Sequence, residues 1–160
     1  MTITVGDRIP SATLKTMGAN GPEDVSTDDL FKGKTVALFA VPGAFTPTCS
    51  AKHLPGYVAN AEALAAKGVD TIVCLSVNDA FVMDAWGKDQ NTGDKVLMLA
   101  DGSADLTRAL GLDKDASAAG MGIRSQRFSM VIEDGVLKSL DIDPPGQFWA
   151  TSAEAMLERL

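Results

Sequence analysis

Short apolar runs rich in Val and Ile alternate along the chain with longer stretches whose apolar residues recur at three- and four-residue steps. That alternation predicts a sheet covered by helices. KTVALFAVPG, residues 34–43, reads as a buried strand ending at Pro42-Gly43. From Cys49 onward, Leu54, Tyr57, Val58, Ala61, Leu64 and Ala65 fall on one helix face, with Gly68 placed to stop the helix and Pro55 expected to kink its second turn. DTIVCLSV, residues 70–77, is the next strand, and Asn78 or Asp79 can cap a helix from Ala80 to about Lys88. KVLMLAD, residues 95–101, is a third strand, followed by a short helix from Ala104 to Leu110. QRFSMVIEDGVLKSLDI, residues 126–142, predicts a hairpin turning at Asp134-Gly135, and a last helix runs from Ser152 to Leu160. Within ITVGDRIPSATLKTM, residues 3–17, a further pair of short strands is expected.

The order implies an α/β fold, with parallel pairing through right-handed crossovers in its early part. No repeat, low-complexity tract or linker divides the 160 residues, so the chain reads as one domain over 1–160. A formal net charge of −7 argues against a nucleic-acid partner, which would need clustered Lys and Arg to displace counterions. MTITVGDRIP lacks the basic and apolar regions of a signal peptide, and no apolar run is long enough to span a bilayer. A soluble, cytoplasmic protein without membrane contact is the expectation. With only one His and two Cys, neither a disulfide framework nor a four-ligand zinc site is expected within the chain.

The cysteines differ in their settings. Cys49 lies at the start of a predicted helix, where unpaired N–H groups and the positive end of the helix dipole favour thiolate over thiol. Thr46 and Thr48 offer hydroxyls nearby, while Pro42 and Pro47 restrict the loop. Two readings of Cys49 stand on pattern alone: a reactive thiol, or a small hydrophobe with Thr48 as an ordinary cap. Cys74, inside an apolar strand, reads as buried and chemically quiet. His53 follows Cys49 by four residues and so shares its helix face; a Cys-His pair is one reading, a solvated or hydrogen-bonded histidine another. Arg127, at the start of the hairpin, shares a face with Ser129 and Val131 while Phe128, Met130 and Ile132 fill the other; Arg124 precedes it. Spacing alone does not bring either arginine to Cys49. Asp101, Asp105, Asp113 and Asp115 read as solvated loop positions.

PGAFTPTC, with Pro42, Thr46 and Cys49, fits the pattern P-x-x-x-[T/S]-x-x-C and resembles the active-site motif of the peroxiredoxins. The flanking VPGAFTPTCSAKHLPGYV, together with DTIVCLSVND, MDAWGKDQ, ADGSADLTRALGLD and RSQRFSMVIEDG in that order, is similar to the type II, five-type subfamily from about Val5 to the end. The resemblance implies a thioredoxin-like mixed sheet flanked by helices, in which TPTC stands where a thioredoxin carries C-x-x-C. It implies that Cys49 is the peroxidatic thiolate, Thr46 the hydroxyl that orients peroxide, Pro42 the shield and Arg127 the cation near sulfur, with no cofactor and no metal.

The implied substrate is hydrogen peroxide or an alkyl hydroperoxide. Atypical two-cysteine members place a resolving cysteine near the C-terminus, where this chain has Thr151, so a one-cysteine mechanism is expected, with glutathione and glutaredoxin or thioredoxin as reductant. A homodimer around the active-site loops, with Phe45 and Phe81 as candidate contacts, also follows from the resemblance. Two rivals remain: a thioredoxin-type thiol-disulfide oxidoreductase, disfavoured because Thr46 replaces the first cysteine, and a Cys-His hydrolase using Cys49 and His53.

Overall fold

The computed structural model describes residues 1–160. Strands β1 (Thr13–Gly18) and β2 (Gly21–Ser26) form an antiparallel pair, followed by α1 (Thr27–Phe31) and β3 (Thr35–Val41). A helical segment then begins at Pro47, passes through a π turn over Cys49–His53, and continues as α2 (Leu54–Ala59) and α3 (Ala61–Ala66). Next come β4 (Thr71–Ser76), α4 (Ala80–Asp89), β5 (Leu97–Ala100) and α5 (Asp105–Ala109). A small ribbon of β6 (Asp113–Asp115) and β7 (Ile123–Ser125) precedes β8 (Arg127–Glu133), β9 (Val136–Asp143) and α6 (Ala153–Arg159).

Seven strands form one mixed sheet in the order β2-β1-β5-β4-β3-β8-β9. The centre is parallel, β3 with β4 and β4 with β5, while β8 runs antiparallel to β3. Because β3 is covered on both sides, it reads as an unbroken apolar run. Its residues nonetheless alternate: Ala37, Phe39 and Val41 enter a core with Cys49, Tyr57, Trp86, Val131 and Met156, whereas Val36, Leu38 and Ala40 enter one with Phe31, Leu106, Phe128 and Ile132. No helix is long and apolar enough to cross a membrane.

The central strands, the turn at Asp134-Gly135 and the helices starting at Ala80 and after Ser152 lie where the sequence places them. Asp79 caps α4 by accepting the Val82 N–H at 2.8 Å, and Asp134 and Gly135 both take positive φ, +48° and +81°.

Four expectations need correction. The first strand pair lies later than residues 3–17: β1 begins inside that stretch and ends at Gly18, and its partner is GPEDVS, whose Pro22 and acidic residues suit a sheet edge and hide its strand character. The helix carrying Pro55 starts at Pro47, not Cys49, and takes one wide turn just ahead of Pro55, with the Leu54 N–H bonding the Cys49 carbonyl. Asp101 is buried, not solvated, and accepts from the N–H groups of Leu106 (3.3 Å) and Thr107 (2.8 Å) and from the Thr107 hydroxyl (2.7 Å), capping α5 from a distance in sequence. Asp113 and Asp115 belong to β6, where they help carry the ribbon that presents Arg124.

Candidate active site

The loop between β3 and the π turn is held at several points. Thr46 donates its hydroxyl to the Gly43 carbonyl at 2.7 Å, and the Ser50 N–H returns to the Thr46 carbonyl at 2.9 Å. Asn78, which follows β4, accepts from the Ala44 N–H at 3.0 Å and from the Ser76 hydroxyl at 2.6 Å, so it clamps the loop and leaves the capping of α4 to Asp79. Gly43 leaves little room for a side chain: a Cβ there would lie 3.1 Å from the Thr46 methyl and 3.3 Å from the Arg124 guanidinium, so either neighbour would have to give by a few tenths of an ångström. Phe45 sits in the left-handed region at φ +64° and is exposed at the loop's tip.

These restraints deliver Cys49 to the interior, with 0% of its surface exposed. Arg127 arrives from a strand far along the chain. On β8 it stands one residue beyond the pair Ala40–Phe128, at the end of β3 from which the Cys49 loop departs. Its NH2 donates to Cys49 Sγ at 3.1 Å and its NH1 approaches His53 Nδ1 at 2.6 Å, while the guanidinium lies 5.7 Å from the centre of the Phe148 ring. Arg124 is used elsewhere, donating to the carbonyls of Met121 (2.9 Å) and Val77 (3.2 Å).

His53 is fully buried among the rings of Phe39, Tyr57 and Phe148, and its Nε2 lies 3.1 Å from the Thr151 carbonyl. A carbonyl can only accept, so Nε2 carries the proton and Nδ1 presents its lone pair to Arg127. Burial and then the neighbouring Arg127 charge push the imidazole down to about 3, against the smaller opposing pull of the Thr151 carbonyl and Asp143. Neither ring nitrogen bonds Cys49. The sequence placed His53 correctly on the Cys49 side of the helix, but the histidine faces the arginine and not the thiol.

The sequence offered no signal for the residues behind His53. Asp143, at the end of β9, accepts from the N–H groups of Trp149 (3.1 Å), Ala150 (2.9 Å) and Thr151 (3.0 Å) and from the Thr151 hydroxyl (2.7 Å). Burial works to raise its carboxyl, but the hydrogen bonds from Thr151, Ala150 and Trp149 outweigh it and hold Asp143 below the usual carboxylate value. Tyr57 adds a 2.9 Å hydrogen bond to the Thr151 carbonyl. Outside this network a cavity of about 70 Å³ is bordered by Pro42, Thr48, Gln126 and Arg127 on one side and by Pro144 and Gln147 on the other. Cys74 is also free and fully buried; burial, then the nearby Cys49, push its thiol well above the ordinary value.

A buried sulfur facing a guanidinium donor, beside a loop that orders a threonine hydroxyl, is a site for attack on a small electrophile with a charged leaving atom. The Redoxin family model matches residues 4–157. The chain is 51% identical over 164 residues to the chloroplastic Peroxiredoxin-2E-2 of Oryza sativa subsp. japonica, covering 99% of this chain and 73% of that protein. It is 45% identical over 159 residues to Peroxiredoxin-2B of Arabidopsis thaliana, covering 99% and 98%. The crystal structure of reduced Prx3 from Vibrio vulnificus in complex with hydrogen peroxide superposes with a TM-score of 0.95 at 50% identity, over 99% of each chain.

Proposed function

The chain belongs to the Redoxin family as a peroxiredoxin of type II, a thiol peroxidase, and from that premise we propose that Cys49 is its peroxidatic residue, assisted by Thr46, Arg127 and Pro42. The observation that carries this assignment is the 3.1 Å hydrogen bond from Arg127 NH2 to Cys49 Sγ, a charge-assisted contact that stabilises negative sulfur.

The thiolate attacks the terminal oxygen of a hydroperoxide, forming an S–O bond as the O–O bond breaks. Arg127 stabilises charge on the departing oxygen, which leaves with a proton as water or an alcohol. Thr46 donates its hydroxyl hydrogen bond to the Gly43 carbonyl, so its oxygen lone pairs are free to accept the single O–H of an alkyl hydroperoxide and so fix which oxygen faces the sulfur. Pro42, at the rim of the cavity, keeps water from the sulfur.

The product is a sulfenic acid at Cys49. A thiol then attacks its sulfur, giving a mixed disulfide and water, and a second thiol releases Cys49 as thiol with a disulfide as by-product. Cys74 is a poor candidate for the first of these thiols, because it is sealed in β4 and held protonated by burial. The proposed resolution is therefore external, by glutathione with glutaredoxin or by thioredoxin, and the proposed assembly is a homodimer in which Phe45 and Phe81, 52% and 67% exposed, are covered.

Peptide mass spectrometry after one equivalent of hydrogen peroxide, with and without a sulfenic-acid trap, tests the mechanism. A trap adduct confined to Cys49 supports it. A rapid Cys49–Cys74 disulfide would overturn the one-cysteine mechanism, and an unmodified Cys49 would overturn its peroxidatic role.

A further inference from the structure

We propose that His53 is a positioning residue for the peroxidase reaction: fixed as the Nε2–H tautomer by the Thr151 carbonyl, it uses the Nδ1 lone pair to turn the Arg127 guanidinium onto the Cys49 sulfur. The inference rests on the peroxidatic assignment of Cys49.

An arginine on the first residue of a strand has several free torsions, and two contacts fix a planar guanidinium where one does not. NH2 meets the sulfur at 3.1 Å; NH1 meets His53 Nδ1 at 2.6 Å. The second contact requires a histidine that accepts at Nδ1, since a doubly protonated ring would aim an N–H at an N–H. The structure enforces that form from behind. Asp143 holds the backbone and hydroxyl of Thr151 at 3.0 and 2.7 Å, Thr151 turns its carbonyl to His53 Nε2 at 3.1 Å, and Tyr57 binds the same carbonyl at 2.9 Å. An unbroken hydrogen-bond chain thus runs from Asp143 through Thr151, His53 and Arg127 to Cys49. The π turn contributes too: it brings residue 53 inward with residue 49, each with 0% exposure.

Substitutions at His53 separate the two ring nitrogens. Asn places an acceptor oxygen near the position of Nδ1, whereas Gln reaches the position of Nε2 and leaves Arg127 without its acceptor. In stopped-flow oxidation of the reduced protein by hydrogen peroxide, H53N should stay within about threefold of wild type, while H53Q should fall roughly tenfold or more, as for loss of an orienting hydrogen bond. The pH profile of Cys49 alkylation should move to higher pH in H53Q alone. In an R127A background the two His53 variants should react at the same rate, because a residue that acts through Arg127 loses its effect when Arg127 is gone. Equal rates for H53Q and wild type, or the same tenfold loss in the R127A background, would overturn the inference.

One measurement needs no variant. His53 is the only histidine, so its ¹⁵N ring resonances are unambiguous. They should show protonated Nε2 and bare Nδ1 at neutral pH; an Nδ1–H tautomer or a cationic ring would overturn the proposal. If wild-type protein reduces no peroxide, the fault lies with the Cys49 assignment; if it does and H53Q keeps pace, the fault lies with His53.

Discussion

At the scale of single residues, the site depends on where protons sit. Thr46 is expected to act through its oxygen, so Thr46→Val should lower kcat/KM for hydrogen peroxide by about 10²–10³-fold, the range for a lost transition-state hydrogen bond, whereas Thr46→Ser should keep most of it. Steady-state peroxide consumption with a fixed thiol reports both. His53 makes a pH prediction. The groups facing it are Arg127 from β8, Asp143 from β9, the Thr151 carbonyl, and the rings of Phe39, Tyr57 and Phe148. Its folded pKa of about 3 lies below the ordinary 6.5, so the unfolded chain takes up the proton first as pH falls. The stabilisation is complete above about pH 6.5 and drains away towards pH 3, with Asp143, itself depressed, adding a further loss below the usual carboxylate range. Urea midpoints should therefore drop between pH 7 and pH 4.5 in the wild type, and less steeply in His53→Asn.

At the scale of elements, caps and turns carry much of the local specification. Removing the Asp79 carboxylate in Asp79→Ala should cost about 1 kcal/mol and leave peroxidase activity intact, as read by thermal melting and a rate assay together. Asp101→Ala should cost more, about 2–3 kcal/mol, because the buried donors of Leu106 and Thr107 lose their acceptor at once. The contrast shows what can be read in advance. Asp79 caps a neighbouring N–H, and sequence proximity reveals it; Asp101 folds back over a left-handed Ala104 at φ +60°, which a composition of Asp, Gly and Ser hides. The same distinction divides the active site. Thr46 and Cys49 are three residues apart in the chain and are legible together, whereas Arg127 reaches Cys49 only through the β3–β8 pairing. Asp143 and Thr151 are legible neither by pattern nor by motif, since Asp143 is bound by backbone amides of an irregular loop and Thr151 meets His53 and Tyr57 through its backbone carbonyl. β2 escaped notice because an edge strand avoids the apolar alternation that marks a strand elsewhere.

At the scale of the whole molecule, the charge of −7 and the exposed rings pull in opposite directions, solubility against association. If Phe45 and Phe81 meet a second copy, Phe81→Glu should convert the dimer to monomer in sedimentation velocity without unfolding it. The sheet itself has a further property. Its only two thiols lie in the same core, both with 0% exposure, but Cys49 belongs to the π turn that follows a loop while Cys74 is locked in a central strand between β3 and β5. β4 can be stripped of its neighbours only when the sheet comes apart. Labelling Cys74 in native buffer therefore clocks global unfolding, so a Cys49→Ser variant would carry a built-in reporter of how often the entire fold breathes.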